Sequence, residues 1–251
     1  MPKVKKTRAD QLLVEKGLVV GPEEAQALIM AGRVFSGEKR VEKAGTPLLP
    51  DTPLRIAEKS TEYVSRGGEK LAHALGYFSV DPSGLIAVDA GASTGGFTDC
   101  LLRAGAKKVY AIDVGYGQLD PRLRDDPRVV PMERFNARQL LPEDLDEEAD
   151  LAVADLSFIS LTMVIPPLEK VVKPGGRLLV LIKPQFEVRK GEVGPGGVVR
   201  EPEKHQAVIE KITAFSRNLG LKPLGVTESP LQGPKGNREF FLALEKTSEK
   251  I

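Results

Sequence analysis

The segment from Val88 to Thr98 constrains most strongly what this chain can fold into. An apolar run, residues 85–88, is typical of a buried strand; it ends in Asp89 and a glycine-rich turn, and a helix-like segment follows over 97–104. A strand, a glycine turn and the start of a helix together form a nucleotide-type pocket. The segment therefore predicts an α/β fold with such a pocket at the end of its first strand.

A second acidic residue supports this prediction. The short strand-like run 109–113 ends in Asp113, a little over twenty residues beyond Asp89. In nucleotide-binding α/β folds this is the position of the carboxylate that accepts hydrogen bonds from both ribose hydroxyls.

The spacing of the glycines indicates which cofactor the pocket binds. A dinucleotide fingerprint has glycines at its first, third and sixth positions, whereas here the third position is Ser93. Asp89 would repel a pyrophosphate but suits a cation. S-adenosylmethionine carries a sulfonium, an ammonium and a ribose without phosphate. The candidate cofactor-binding residues are Asp89, Gly91, Ser93, Thr94, Gly95, Gly96, Phe97 and Asp113, with Asn136 and Asp155 after later strands. The alternative is a tight strand-to-helix turn in another kind of α/β protein.

Length and composition set limits on the class of protein. The 251 residues suffice for one domain of ordinary size and a small second one. No apolar run approaches the roughly 18 residues of a membrane span, and the N-terminus has no apolar core like that of a secretory signal. One cysteine and two histidines argue against a disulfide or a zinc site. We expect a cytoplasmic protein without a bound metal.

The first 60 residues form a small module of their own. Each of two short amphipathic segments is followed by a glycine, and strand-like pieces occur around 34–35 and 54–56. The net charge of residues 1–60 is +3, with 11 Lys and Arg against 8 Asp and Glu. The pattern predicts a helical pair beside a small sheet. The helical apolar residues are Leu12, Leu13, Leu28 and Ile29, and the glycines are Gly17 and Gly32.

Residues 7–60 resemble the S4 RNA-binding domain. That resemblance implies a small α+β domain whose helical face contacts structured RNA through phosphates and shape, with Arg8, Lys16 and Arg33 as candidates and Arg66 in the segment that follows. The alternative is a small packing or interaction module. The predicted boundaries are an S4-like domain over 1–60, a linker over 61–68 and a catalytic domain over 69–251.

The remainder of the chain alternates strand-like and helix-like segments. This order predicts a parallel, doubly wound sheet. The last two strand-like runs, 221–227 and 239–244, are joined by too short a connection for a parallel crossover, so the final strand should be antiparallel.

Three charged residues should meet at one edge of that sheet. Asp155 and Lys183 follow apolar strands, and Glu239 begins the antiparallel strand, so all three lie at the carboxyl ends of the parallel strands. A single charged residue at a strand end usually marks only the point where the chain meets water. Three such residues beside a methyl-donor pocket favour a reaction centre.

Four motifs resemble those of the TlyA family, whose members join an S4 domain to an FtsJ-like (RrmJ-like) ribosomal RNA 2′-O-methyltransferase domain. They cover residues 65–71 (SRGGEKL), 89–98 (DAGASTGGFT), 155–160 (DLSFIS) and 183–187 (KPQFE). The resemblance implies a Rossmann-like class I S-adenosylmethionine-dependent methyltransferase fold, with a mostly parallel seven-stranded sheet and an antiparallel last strand. It also implies a catalytic Lys-Asp-Lys-Glu set on Lys70, Asp155, Lys183 and Glu239, and a cytidine 2′-hydroxyl of ribosomal RNA as acceptor. We expect a monomer that acts on ribosomal RNA or ribosomal subunits.

The four residues fit the chemistry that the resemblance implies. A ribose hydroxyl is a poor nucleophile at neutral pH, so a base or a cation must act on its oxygen. Lys183 is the candidate to take or stabilise the proton, Lys70 supplies a second cation, and Asp155 and Glu239 hold the two amines. The four charges sum to zero, so an ordinary buried ion-pair network is the structural alternative.

Two functions from other classes compete with the methyltransferase. One is a noncatalytic RNA-binding or ribosome-assembly factor that retains the donor fold. The other is a membrane-active protein, because some members of the family carry the name hemolysin A. The sequence contains no spanning or strongly amphipathic segment and no tryptophan for an interfacial belt, which disfavours the second.

Overall fold

A computed structural model describes residues 6–37, 39–56, 62–189 and 191–247 of the chain. It contains two compact units, Met1–Glu62 and Tyr63–Ile251. Residues 57–61, which include the first residue of the predicted linker, lie outside the described residues. Residues 63–68 of that linker belong to the larger unit, and its first helix begins at Gly67, two residues before the predicted catalytic domain.

Within its described residues, the smaller unit contains two helices and five very short strands. Helices α1 (Ala9–Glu15) and α2 (Pro22–Met30) end just before Gly17 and Gly32, which confirms the predicted pair. Strand β1 (Thr7–Arg8) pairs with β4 (Pro47–Leu48), while β2 (Val34–Ser36) lies between β3 (Lys39–Arg40) and β5 (Arg55–Ile56). Its core is formed by small and branched apolar side chains: Ala9, Leu13, Val19, Ala25, Ile29, Val34 and Val41.

The larger unit is built on a seven-stranded sheet in the order β11-β12-β10-β9-β6-β7-β8. Strands β6 to β10 are parallel, whereas β12 is antiparallel to both β10 and β11. This confirms the predicted sheet and its antiparallel last strand. The strands are β6 (Ile86–Ala90), β7 (Lys108–Asp113), β8 (Val129–Glu133), β9 (Ala149–Ala154), β10 (Val172–Ile182), β11 (Leu221–Glu228) and β12 (Phe240–Lys246).

Helices cover both faces of this sheet. Alternate strand residues point to opposite faces, so each face buries its own apolar cluster. None of the helices within the described ranges is long and apolar enough to cross a membrane. The helices are α3 (Gly67–Tyr77), α4 (Gly96–Arg103), α5 (Pro121–Arg124), α6 (Ile165–Val171) and α7 (Pro202–Asn218).

The strand register determines which residues meet at the carboxyl edge of the sheet. Ile182 at the end of β10 is paired with Phe240 at the start of β12. The residues next to this pair, Lys183 and Glu239, therefore lie on adjacent strands at the same edge. On the other side of β10, the amide of Asp155 donates a hydrogen bond to the carbonyl of Ala90, N to O 3.1 Å, which brings the end of β9 beside the glycine turn.

Candidate active site

A cavity of about 440 Å³ opens at this edge. Its wall is formed by the turns that follow β6, β7, β8 and β9. A cavity of this size accommodates a small-molecule ligand. Five of the predicted cofactor-binding residues line it: Gly91, Ser93, Asp113, Asn136 and Asp155.

Gly91 is required by the close approach of two of these turns. Its φ of +89° lies in the region that disfavours side chains. A Cβ atom at this position would lie 2.6 Å from the carbonyl oxygen of Asp155. Any larger residue would therefore push apart the ends of β6 and β9, which form the floor of the cavity.

The carboxylate of Asp113 is held in a fixed orientation. The amide of Ser93 donates to its Oδ2 at 2.8 Å, and the amide of Gly115 donates to its Oδ1 at 2.7 Å. Each carboxylate oxygen can accept a second hydrogen bond. Asp113 is thus oriented at the cavity wall with acceptor capacity left for a pair of hydroxyl groups.

Asp89 lies behind the cavity and is completely buried. Its Oδ2 accepts a hydrogen bond from the Thr98 hydroxyl, 2.7 Å, while its Oδ1 has no partner among the described residues. Burial, reinforced by repulsion from Asp155 and Asp113, raises the pKa of Asp89 to about 7. The three carboxylates therefore create a negative potential that a cation would relieve.

The remaining residues of the predicted cofactor turn serve the packing of helices. A Cβ atom on Gly96 would lie 3.0 Å from the backbone nitrogen of Gly68, so the first turns of α3 and α4 are in close contact. Phe97 is buried, and its ring stacks on Phe241 with 6.0 Å between the centroids. Of the predicted cofactor-binding residues in this turn, Thr94, Gly95, Gly96 and Phe97, like Asp89, do not line the cavity.

The residues present fit S-adenosylmethionine. A ribose needs a bidentate acceptor, and Asp113 has acceptor positions free at the cavity wall. A sulfonium with an ammonium needs negative charge nearby, and Asp155 lines the cavity while Asp89 lies behind it. Asp89 contributes to this negative potential from behind the cavity, because its side chain is fully buried and does not line the wall.

Beside the cavity, the structure brings together the four predicted catalytic residues as two ion pairs. Lys70 Nζ lies 2.6 Å from Glu239 Oε2, and the side chain of Glu239 is 0% exposed. Lys183 Nζ forms an ion pair with Asp155. Lys183 and Glu239 are both buried. Helix α3 and the ends of β9, β10 and β12 supply the four charges.

The two pairs act on each other. Burial by itself raises the pKa of Asp155, but the attraction of Lys183 and Lys70, with a hydrogen bond from Lys183, outweighs it and holds the pKa below its usual value. Because Asp155 senses both amines, the four residues form one electrostatic cluster. Asp155 is ionised at neutral pH and fixes the position of the Lys183 amine.

Two residues of this edge were not identified individually from the sequence. Lys183 Nζ donates a hydrogen bond to Ser157 Oγ at 3.2 Å. Phe158 lines the cavity although it is 90% exposed, has a φ of +64°, and packs against Phe186 with 5.0 Å between the ring centroids. A bulky residue in this conformation is strained, and such strain concentrates at functional sites. The available signal was an aromatic residue in a polar turn directly after Asp155.

The predicted RNA-binding residues occupy different environments. In the smaller unit, Arg8 Nε and Nη2 donate to the buried carboxylate of Asp10 at 3.0 and 2.6 Å, so this guanidinium is already engaged. Lys16 is exposed at the end of α1 and Arg33 is half-buried. Arg66 belongs to the larger unit, where it is exposed at the start of α3.

Comparisons with known proteins agree with this geometry. The chain is 46% identical over 98% of its length to a candidate rRNA methyltransferase, YqxC, of Bacillus subtilis, of which it covers 88%. It is 45% identical, over 98% of its length and 92% of the relative, to the 16S/23S rRNA (cytidine-2′-O)-methyltransferase TlyA of Mycobacterium tuberculosis. Among solved structures, a candidate hemolysin from Streptococcus thermophilus matches with a TM-score of 0.76 and 42% identity, over 98% of this chain and 90% of that one.

The family match covers the unit that contains the cavity and the charged cluster. A family model for FtsJ-like methyltransferases matches residues 63–246. This range begins at Tyr63, the first residue of the larger unit, and includes Lys70, Asp155, Lys183 and Glu239. With the seven-stranded sheet and the whole-length relatives, it establishes that the chain belongs to the FtsJ-like methyltransferase family and, within it, to the TlyA group of rRNA methyltransferases.

Proposed function

We propose that this protein methylates the 2′-hydroxyl of a cytidine in ribosomal RNA, using S-adenosylmethionine as donor. The observation that carries the proposal is the cluster of two ion pairs, Lys70–Glu239 and Lys183–Asp155, each with one buried partner, at the edge of a cavity that suits the donor. The whole-length similarity to the TlyA enzyme of M. tuberculosis supports the choice of acceptor.

When bound, the donor supplies an electrophilic methyl group on a positively charged sulfur. In this proposal Gly91 leaves room for it, Asp113 binds its ribose, and the carboxylates of Asp89 and Asp155 balance its charge. Asn136 contributes at the adenine end, from the turn after β8.

Lys183 acts on the acceptor hydroxyl. Its amine is buried, held by Asp155 and Ser157, and lies beside the cavity, so it can contact the 2′-oxygen. In its neutral form it can take the proton that the hydroxyl loses as the new O–CH₃ bond forms and the S–CH₃ bond breaks, which leaves the donor sulfur as an uncharged thioether. Glu239 holds Lys70, whose charge acts on the same cluster. These residues orient and neutralise the reacting oxygen, while the buried surroundings exclude water.

Phe158 is placed to hold the target nucleotide. An exposed aromatic ring at the mouth of the cavity can stack on a base that has been turned out of its helix, and such stacking tolerates any base. The ring is supported from one side by Phe186, so one face is available to a nucleotide. This arrangement favours an acceptor presented by a single-stranded or extruded nucleotide.

The smaller unit is proposed to bind RNA in the manner of an S4 domain. Its helical pair, its short strands and the positive net charge of residues 1–60 support this role, with Lys16 and Arg33 as phosphate contacts and Arg66 adding one from the catalytic unit. The proposal includes action as a monomer and a cytoplasmic location, where ribosomal subunits are assembled.

The decisive experiment maps the methyl group on the RNA. Ribosomal RNA from cells with and without the gene is digested and analysed by mass spectrometry, and purified protein is then incubated with labelled donor and each ribosomal subunit or free rRNA. A 2′-O-methylcytidine that depends on the gene and is restored by purified protein supports the proposal. Donor binding without transfer to any rRNA would instead indicate an assembly factor.

A further inference from the structure

Glu187 is a buried carboxylate near the reaction centre that takes no part in the proposed chemistry. It ends a short helical turn, Pro184–Phe186, that begins directly after Lys183, and its side chain is 1% exposed. It is absent from the residues that line the described cavity. A buried carboxylate is costly unless hydrogen bonds satisfy it, so its partners indicate its purpose.

Three donors from two other elements satisfy this carboxylate. The amide of Leu161 donates to Oε1 at 2.6 Å, and the hydroxyl of Ser160 donates to Oε2 at 2.7 Å. From α7, Lys211 Nζ lies 3.3 Å from Oε2 and donates to the backbone oxygen of Glu187 at 2.9 Å. Glu187 therefore connects the segment after β10 to the segment after β9 and to a helix.

The segments joined in this way carry the reacting amine and the exposed aromatic ring. We call residues 155–161 the acceptor turn and residues 183–187 the lysine turn. The two turns meet at three places in sequence order: Lys183 contacts Asp155 and Ser157, Phe186 contacts Phe158, and Glu187 contacts Ser160 and Leu161. Of these, only the contact of Glu187 lies beyond the aromatic pair, at the far end from the amine.

Phe158 depends on this fixation because its backbone is strained and its ring is exposed. Its φ of +64° must be maintained by the contacts of the flanking residues. On one flank Ser157 is held by Lys183, and on the other Ser160 and Leu161 are held by Glu187. Loss of the second anchor would release residues 158–161, whereas Gly91, Ser93, Asp113 and Asn136 line the donor cavity from other turns.

We propose that Glu187 is a positioning residue that fixes the acceptor turn against the lysine turn, so that the ring of Phe158 holds the target nucleotide at the correct distance from Lys183. The inference rests on the proposed function, because it assumes an acceptor nucleotide at Phe158. It assigns Glu187 to acceptor placement and not to donor binding. The Lys211 ammonium compensates the buried charge.

Three variants of the full chain test this assignment. Glu187→Ala removes all the contacts of the carboxylate. Glu187→Gln keeps an acceptor for the Leu161 amide and a polar group for Ser160, and the half-exposed Lys211 can turn towards water. The matched control is Glu210→Ala, because Glu210 is an exposed carboxylate next to Lys211 on α7.

Each variant is assayed for donor affinity by calorimetry and for methyl transfer to ribosomal subunits under single-turnover conditions. For Glu187→Ala we expect transfer to fall about tenfold or more, the size of effect that a misplaced reactant produces, with a donor Kd within about twofold of wild type. Glu187→Gln should restore transfer to within about threefold, and Glu210→Ala should behave as wild type.

A fluorescence readout makes the test independent of activity. The chain contains no tryptophan, so Phe158→Trp introduces a single reporter on the acceptor turn. In that background, Glu187→Ala should lower the fluorescence anisotropy of Trp at this position, whereas Glu187→Gln should not. If Glu187→Ala fails to fold, Ser160→Ala removes one of the anchor's contacts and should lower the anisotropy to a smaller extent.

The outcomes separate this inference from the proposed function. Lower anisotropy and lost transfer with unchanged donor affinity support it. Unchanged anisotropy in a folded Glu187→Ala variant, or a donor Kd that rises in step with the lost transfer, overturns it. Wild-type protein that transfers no methyl group to rRNA contradicts the proposed function instead, and the anisotropy still decides whether Glu187 anchors the turn.

Discussion

Lys70 and Glu239 stand 169 positions apart in the chain, yet Lys70 Nζ and Glu239 Oε2 are separated by only 2.6 Å. The lysine comes from the first helix of the catalytic unit and the glutamate from the residue before its last strand. The contact therefore joins α3 to the start of β12 at the edge of the sheet where the reaction centre lies.

This ion pair should be essential to stability as well as to activity. Lys70→Met leaves the fully buried Glu239 carboxylate without its partner, and we expect the free energy of unfolding to fall by about 3 to 5 kcal/mol. The double variant Lys70→Met, Glu239→Gln should recover much of this loss, since no unpaired charge remains. Urea titration of all members of the double-mutant cycle measures the effect. A Lys70→Met variant as stable as wild type would show that the pair contributes nothing.

Lys183→Ala should abolish methyl transfer while leaving the donor bound. Proton transfer or charge stabilisation by a placed side chain contributes about 10² to 10⁴ in rate, so the single-turnover rate should fall by that factor. The donor Kd, measured by calorimetry, should remain near that of wild type, and Lys222→Ala on the exposed face of β11 is the control. Full activity of Lys183→Ala would end its assignment as the residue that acts on the hydroxyl.

Asp113→Ala should weaken donor binding. A hydrogen bond to a charged group contributes about 1.5 to 3 kcal/mol, so the donor Kd should increase about 10- to 150-fold. Part of the loss reflects the backbone amides of Ser93 and Gly115, which the carboxylate also holds. Asp125→Ala, an exposed acid beyond α5, provides the comparison. An unaltered dissociation constant would contradict the ribose role.

The buried carboxyl of Asp89 predicts a specific pH dependence of stability in the absence of donor. Burial raises its pKa from 3.8 to about 7, so between these values the folded protein retains a proton that the unfolded chain has released. Stability should therefore decrease as the pH rises from about 4 to 7, by a contribution on the order of 3 to 4 kcal/mol.

Asp89→Asn provides the direct check, because an amide cannot ionise. Its free energy of unfolding is measured by denaturant titration at a series of pH values. We expect it to lack the decrease between about pH 4 and 7 that the ionisation of Asp89 causes in the wild-type protein. Asp125→Asn should retain the wild-type slope. Parallel pH profiles for wild type and Asp89→Asn would mean that the raised pKa is not realised.

Phe158→Ala should impair use of the RNA without affecting the donor. Stacking of one base on an aromatic ring contributes about 1 to 3 kcal/mol, so kcat/KM for the ribosomal subunit should fall about 5- to 150-fold. Phe158→Tyr should retain most of the activity, and Tyr77→Ala removes another exposed aromatic residue, at the end of α3, as the control. Equal losses for Phe158→Ala and Tyr77→Ala would argue against a specific nucleotide contact.

Much of the reaction centre could be predicted before any coordinates, because strand ends in a parallel sheet share one edge. Asp89 and Asp113 lie near the ends of β6 and β7, Asp155 and Lys183 follow β9 and β10, and the sheet order places those ends together. The antiparallel direction of β12 followed from its short connection, which placed Glu239 at the same edge.

The glycine turn illustrates what the pattern could not distinguish. Gly91 lines the cavity, but Gly96 is required by the contact between α3 and α4, and both appear in the same run of sequence. Neither position has room for a Cβ atom, but different atoms lie against the two glycines. Only the packing of the helices reveals which atoms those are.

The sequence by itself determined the order of strands and helices, the donor-type turn and the residue types of the charged cluster, because these depend on local periodicity and on short motifs. The tertiary structure decided how the cluster is paired, that Arg8 is engaged by Asp10, that Phe158 is exposed in a strained turn, and that Glu187 anchors it. These features depend on distances between side chains far apart in the chain. Such distances are set by packing and by the competition of charges for partners, which no local pattern encodes.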